Sequence, residues 1–264
     1  MTHRAQLIAG RSAARFAPSA LLGAMVALLS ACGGGGSSSP SSPTPPAGGG
    51  GSGPAAGSAQ CAAWAMPAGT TVRTTYASPA TPSLAATQSV SNNGTVSFAG
   101  QSATEIATTG TLGAAAIDIK VYGAFDATSG VATLYGSVTH YVSATTLQDT
   151  TSILTPPIVD TEFALAAGQS VASQMEVSSD TTTVTVNGVA GQPTTTTRSS
   201  ASPATTFVGI ETVTVAAGTF TTCRYLASTG ITSWILAGYG TEVQNSQGGF
   251  ATSILVNGVA LTHN

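Results

Sequence analysis

The sequence predicts an all-β domain, an antiparallel meander curved into a half-barrel or barrel, with a β-sandwich as the alternative closure. Three observations predict it. Beyond residue 58, short runs rich in Val, Ile, Thr, Phe and Tyr alternate with Gly, Asn and Ser turns at intervals of about 8–12 residues. No stretch there sustains a 3.6-residue apolar period over three turns. No helical crossovers separate the runs, so parallel pairing has nothing to build it.

Composition narrows the function classes. Hydrophobic residues make up 42% of the 264-residue chain and charged residues only 6%, against roughly 25% charged in an average globular protein. Solubility therefore comes from Thr, Ser, Asn and Gln. Arg4, Arg11 and Arg15 precede residue 32. Beyond it only Arg73, Lys120, Arg198 and Arg224 face ten acidic residues, which leaves a formal charge of −6 (four minus ten). That balance argues against nucleic acid, which needs clustered Lys and Arg to displace counterions. It argues equally against electrostatic docking on anionic lipid. No glycine-rich phosphate loop precedes a helix, so nucleotide binding has no support, and no cofactor is expected.

Taken in order, the chain opens with a basic segment and an apolar run over 18–31. The run is too short to cross a hydrocarbon core of roughly 30 Å. With small residues at Ser30 and Ala31, residues 1–31 read as an export signal. Leu29-Ser30-Ala31-Cys32 resembles a bacterial lipobox, the signature of lipoprotein signal peptides. The resemblance implies cleavage before Cys32, diacylation of its sulfur and acylation of its new amine. An ordinary cleavable signal with a coincidental cysteine is the alternative. Several buried acyl chains at about 0.8 kcal/mol per CH₂ would anchor durably. Gly33 stands where an inner-membrane retention signal usually has Asp, so the resemblance favours the outer membrane. After Cys32, the rest of the segment 32–58 is Gly, Ser, Pro and Ala with one Thr. They read as a disordered tether with a proline-stiffened centre and an r.m.s. reach of roughly 30 Å. A single β-domain is expected over 59–264.

Within it, strands are expected at 70–76, 86–90, 94–98, 101–109, 114–125, 130–143, 149–154, 171–178, 181–187, 194–199, 205–215, 219–228, 231–237, 241–246, 250–256 and 259–262. In 114–121 the period is 2, because Ile117, Ile119 and Val121 alternate with Asp118 and Lys120. Asn93-Gly94, Ser129-Gly130, Asn187-Gly188 and Asn257-Gly258 are the expected turns, since Asn-Gly supplies the positive φ angles of a type I′ hairpin. In 205–215, Phe207, Gly209, Glu211, Val213 and Val215 fall on one face. Both faces are partly apolar, which predicts a central strand or one lining an enclosed space. The run Gly209-Ile-Glu-Thr-Val-Thr-Val-Ala-Ala-Gly-Thr-Phe220, followed by Cys223, Trp234 and Gly238-Tyr-Gly240, resembles a motif of uncharacterised bacterial secreted proteins and lipoproteins. Ala216 replaces the usual Pro. The resemblance covers about a sixth of the domain and implies a β-unit, with no activity attached. Related strand patterns occur in curved-sheet domains similar to periplasmic lipoprotein carriers.

Candidate chemistry is sparse. Cys61 and Cys223 remain once Cys32 is assigned to lipid. In an exported chain they are expected to pair, with buried free thiols or a redox or metal pair as alternatives. His140 is the one plausible imidazole base, and His263 is expected to fray. No Gly-x-Ser-x-Gly elbow accompanies His140, and a solvent-facing strand position is the plainer reading. Asp160 and Glu162 sit at strand period and read as a solvated face. Glu211 lies on the face of Phe207, so if buried it needs a partner, and Arg224 across the hairpin is the candidate for a structural ion pair. Trp64, Trp234, Tyr225, Phe220 and Phe250 read as core. No catalytic or metal site is expected. Three functions follow. The first is a membrane-anchored, non-enzymatic envelope protein holding an apolar ligand or a client envelope protein, with Phe207, Val213 and Trp234 as ligand-facing or core residues. The second is a structural or adhesive surface domain. The third is a hydrolase.

Overall fold

The computed structural model describes residues 57–77, 86–112 and 115–264. The export signal and all but the end of the tether therefore lie outside the described residues. The fold is all-β and antiparallel, a single open sheet of sixteen strands. These are β1 (Thr71–Ala77), β2 (Ala86–Phe98), β3 (Gln101–Leu112), β4 (Ala115–Asp126), β5 (Val131–Val142), β6 (Thr146–Asp160), β7 (Ser170–Val171), β8 (Met175–Val186), β9 (Val189–Ala190), β10 (Thr194–Ala201), β11 (Thr205–Val215), β12 (Gly218–Ala227), β13 (Thr232–Leu236), β14 (Glu242–Asn245), β15 (Phe250–Val256) and β16 (Val259–Ala260). Two meanders leave a common centre. There β1 pairs with β15, and the order runs β10-β8-β6-β5-β4-β3-β2-β1-β15-β14-β13-β12-β11-β7.

Turn chemistry sets much of the register. Asn187-Gly188 and Asn257-Gly258 close the β8–β9 and β15–β16 hairpins with φ near +49° and +80° at each pair, as type I′ geometry requires. Asp126 holds the β4–β5 turn by accepting from the Thr128 amide and the Ser129 hydroxyl. Asn93-Gly94 is not a turn. It sits in a bulge of β2, where the Asn92 side chain accepts from the Gly94 amide and donates to the Met66 carbonyl. The hairpin falls instead at Ala99-Gly100, both at positive φ. The expected break between 178 and 181 is also absent, and β8 runs straight through it.

Curvature follows from where the core lies. Val72, Val90, Ile106, Ile119, Leu134, Phe220, Leu236, Val243 and Ile254 belong to one buried cluster. They sit on nine neighbouring strands, from β5 round to β12, which laid flat would span about 38 Å. They meet because the sheet curls around a plug from outside it. The plug is the chain over 58–66, with 3-10 turns at Ser58–Cys61 and Ala63–Ala65. Its Ala62, Trp64 and Met66 fill the concave face, joined by Phe163. Ser58, placed in the tether by composition, is fully buried. Its hydroxyl bonds the Glu162 and Leu165 carbonyls at 2.8 and 3.1 Å.

A second cluster packs on the opposite face of β11–β13. It contains Cys61, Leu165, Val171, Phe207, Cys223, Tyr225 and Ile235. A Cys61–Cys223 disulfide ties plug to strand there. Between the two clusters the plug passes the β13–β14 turn, where the Gly238 amide donates to the Gln60 carbonyl at 2.7 Å. Gly240, at φ +62°, leaves no room for a side chain, since a Cβ would lie 2.3 Å from the Ala63 amide nitrogen. Gly240→Ala is therefore expected to lose about 1–3 kcal/mol, the range of overpacked sites, read as a lower urea midpoint. An unchanged midpoint would show that the plug does not press on this turn.

β11 is not central. Beyond β12 on one side, only the two-residue β7 flanks it on the other, pairing with Thr205 and Thr206. A bulge at Phe207–Gly209 shifts its register, and that shift reverses face parity. Phe207 is fully buried in the second cluster, while Glu211 projects from the other face and is exposed.

Candidate functional site

From β1 to β5 the inward positions are taken by core, and the alternate positions of the first meander form its outer face. One cross-strand row of that face carries most of its ionisable groups. In register it reads Arg73, Ser89, Thr109, Asp118, His140, Asp149 and Thr183, one residue each from β1, β2, β3, β4, β5, β6 and β8. Arg73, Thr87, Ser89, Thr109, Asp118 and His140 are among the residues lining a shallow depression of about 340 Å³.

His140 lies between two carboxylates. Its Nδ1 is 2.5 Å from Oδ1 of Asp149, and both side chains are about half exposed. With a carboxylate as partner, Nδ1 carries the proton. Oδ1 of Asp118 is hidden from solvent with no hydrogen-bond partner among the described residues. The imidazole thus has its orienting carboxylate but no nucleophile. Ser89, the serine of the row, is three strands away, about 14 Å at the usual strand spacing. A Ser-His-Asp arrangement needs direct contact. Among the described residues no group of three His, Cys, Asp or Glu could hold a metal ion. The row can bind a polar partner through hydrogen bonds and charge.

The other sequence candidates separate. Phe207 packs on Tyr225 with ring centroids 5.3 Å apart. Val213 packs against the first cluster from the opposite face. Trp234 belongs to neither cluster. Its indole donates to Oε1 of Glu211 and lies under the Arg224 guanidinium, 5.6 Å from the ring centroid. The three residues therefore surround no common space. Arg224 and Glu211 do form the expected pair, at 3.8 Å, but both are about 40% exposed. An exposed pair of this kind contributes at most about 1 kcal/mol. Phe250 is half-buried, whereas Trp64, Phe220 and Tyr225 are core. His263 bridges Thr219.

The carboxylates hold the largest surprise. Asp160 and Glu162 are 5% and 2% exposed, not solvated. Asp160 ends β6 and accepts from the Glu162 amide at 2.8 Å, while Glu162 opens a 3-10 turn. Glu176 and Asp180 are buried on β8, and Asp180 pairs with Arg198 at 3.2 Å. Burial pushes the Tyr225 hydroxyl well above its ordinary range, with the Glu162 and Asp160 charges adding to it. Glu242 is 1% exposed, and its burial pushes the carboxyl up to about 7, with the Asn245 amide and Ser233 hydroxyl opposing. Asn245 donates to Oε1 of Glu242 at 2.8 Å. No sequence signal marks these acids as buried. The chain matches no protein-family model, no curated protein and no solved structure.

Proposed function

We propose that this is a lipid-anchored envelope protein, placed at the outer membrane, whose β-domain works as a structural or adhesive surface module. The observation that carries the reading is the filled concave face. A carrier of an apolar ligand uses such a face as its cavity, whereas here the chain's own Trp64, Met66 and Phe163 occupy it at 9%, 2% and 5% exposure. Much of what remains accessible is hydroxyl-bearing. The outer face presents the Arg73–Asp149 row and paired hydroxyls such as Thr87–Thr111 at 2.7 Å and Thr181–Thr195 at 3.0 Å. A hydroxyl-rich surface with few charges suits contact with a neighbouring polar surface. The anchor rests on the sequence pattern Leu29–Cys32, which lies outside the described residues.

Fractionation of host cells tests the anchor. Cys32→Ala should move the protein from the membrane to the soluble fraction, and full membrane retention refutes the anchor. Native mass spectrometry of the purified protein tests the module reading. No mass beyond the covalent acyl chains is expected. A stoichiometric lipid released on unfolding would restore the carrier reading.

A further inference from the structure

The two edges of the sheet are built differently. At one edge β7 covers only two residues of β11, and the Phe207–Gly209 bulge bends the rest away. A very short strand and a bulge are standard means of preventing edge-to-edge association. The other edge is β10, with the sequence Thr-Thr-Thr-Thr-Arg-Ser-Ser-Ala. It pairs with β8 from Thr194 to Ala201 without a register shift, and among the described residues no strand covers its far side. It contains no proline, no lysine and no bulge, and all but one of its residues are exposed. Its single charge is paired within the chain, since Arg198 Nε lies 3.2 Å from the buried Asp180 carboxylate.

We propose that β10 is a homotypic docking edge that pairs antiparallel with β10 of a second copy of this chain, the two-fold axis passing at Thr197. The occupant follows from the strand itself. Antiparallel partners share the same hydrogen-bonding orientation, so two identical strands related by a two-fold axis can pair only residues of equal parity. The axis therefore passes through a residue, not between two. An axis at Arg198 sets like charges directly opposite each other, which is destabilising. An axis at Thr197 sets Arg198 opposite Thr196 and still pairs residues 194–200 with themselves. Threonine pairing across this sheet already exists, as in Thr181–Thr195 at 3.0 Å, and the second copy continues it.

Apolar surface supports the same register. Behind β10, Val159, Met175 and Val177 are 53%, 67% and 39% exposed. With Pro156 and Pro157 they line a groove of about 440 Å³. Met175 and Val177 lie opposite Ala201 and Ser199 of β10. In the Thr197-centred register, Pro193 of the second copy lies opposite Ala201, at the rim of this groove. Symmetry repeats the contact, so two apolar patches are covered together.

Cysteine crosslinking of the full-length protein in its own membrane tests the register. At Thr197→Cys the two Cα atoms would be about 4.5–5.5 Å apart, inside the disulfide range of about 4.4–6.8 Å. At Thr196→Cys they would be about 8 Å apart, beyond it. Mild oxidation should give at least fivefold more dimer for Thr197→Cys than for Thr196→Cys. Equal yields at both sites, or none at Thr197, overturn the proposal. Light scattering on detergent-solubilised protein is an independent measurement. Thr197→Lys, which opposes two ammonium groups on the axis, should convert dimer to monomer, and a wild type that is monomeric at all concentrations overturns the proposal.

Discussion

Reducing the Cys61–Cys223 bridge is expected to lower stability by about 3–5 kcal/mol. The bridge closes a loop with a sequence separation of 162. The chain-entropy relation gives about 5 kcal/mol for a loop of that size, as an upper figure. Most of this acts on the unfolded chain, which gains freedom once the link is cut. The folded plug keeps its own attachments, namely the Ser58 hydroxyl bonds, the Gly238–Gln60 bond and the burial of Trp64 and Met66. The reduced protein should therefore still fold, with a lower urea midpoint and a larger m value, since its unfolded state exposes more surface. Reduced wild type is the better comparison than Cys61→Ala/Cys223→Ala. Both sulfurs are buried at 1% and 0% exposure, so their removal adds a cavity cost to the loss of the link. A loss under about 1 kcal/mol on reduction would mean that the unfolded state stays compact without the bridge.

The strands were legible because each signals itself locally. Alternation of Ile117, Ile119 and Val121 with Asp118 and Lys120 needs only five neighbouring residues to read. Asn187-Gly188 and Asn257-Gly258 carry their turn type in two. What failed depended on distant residues. Asn93-Gly94 has hairpin chemistry, but Asn92 is claimed by the Met66 carbonyl of the plug, so the local signal is spent on a bulge. The face of Glu211 inverted because one bulge residue reverses the parity of everything after it. The cysteine pair was within reach from export and cysteine count, and the Glu211–Arg224 pair from hairpin spacing. The outer row was not, because Arg73 and Asp149 share a row only through the registers of five strand pairs. The plug was the least visible. Cys-Ala-Ala-Trp-Ala-Met shows no alternation, and its role comes from the curvature it fills.

Glu242→Gln is expected to stabilise the protein by about 1–3 kcal/mol at pH 8 and to change little at pH 4. Burial raises the folded-state carboxyl from 4.5 to about 7. Between those values the folded protein holds a proton that the unfolded chain has released. The unfolded state then binds fewer protons, so stability falls as pH rises. The contribution is complete below about 4.5, declines through the window and is lost above about 7. A shift of that size corresponds to about 3 kcal/mol at most, at 1.36 kcal/mol per unit. Glutamine keeps an acceptor for the Asn245 amide, now 2.8 Å from Oε1, and offers its own amide towards Ser233. It carries no charge to desolvate at any pH. Groups common to both proteins contribute to each curve, among them Asp126, which is lowered chiefly by the Ser129 hydroxyl and acts in the opposite sense. The difference between variant and wild-type stability curves cancels them and isolates Glu242. That difference should be flat and near zero at low pH, climb between about pH 4.5 and 7, and level off above. Parallel curves across the range would mean that water reaches the Glu242 carboxylate in the folded state, and that the packing of β13 and β14 around it is looser than 1% exposure implies.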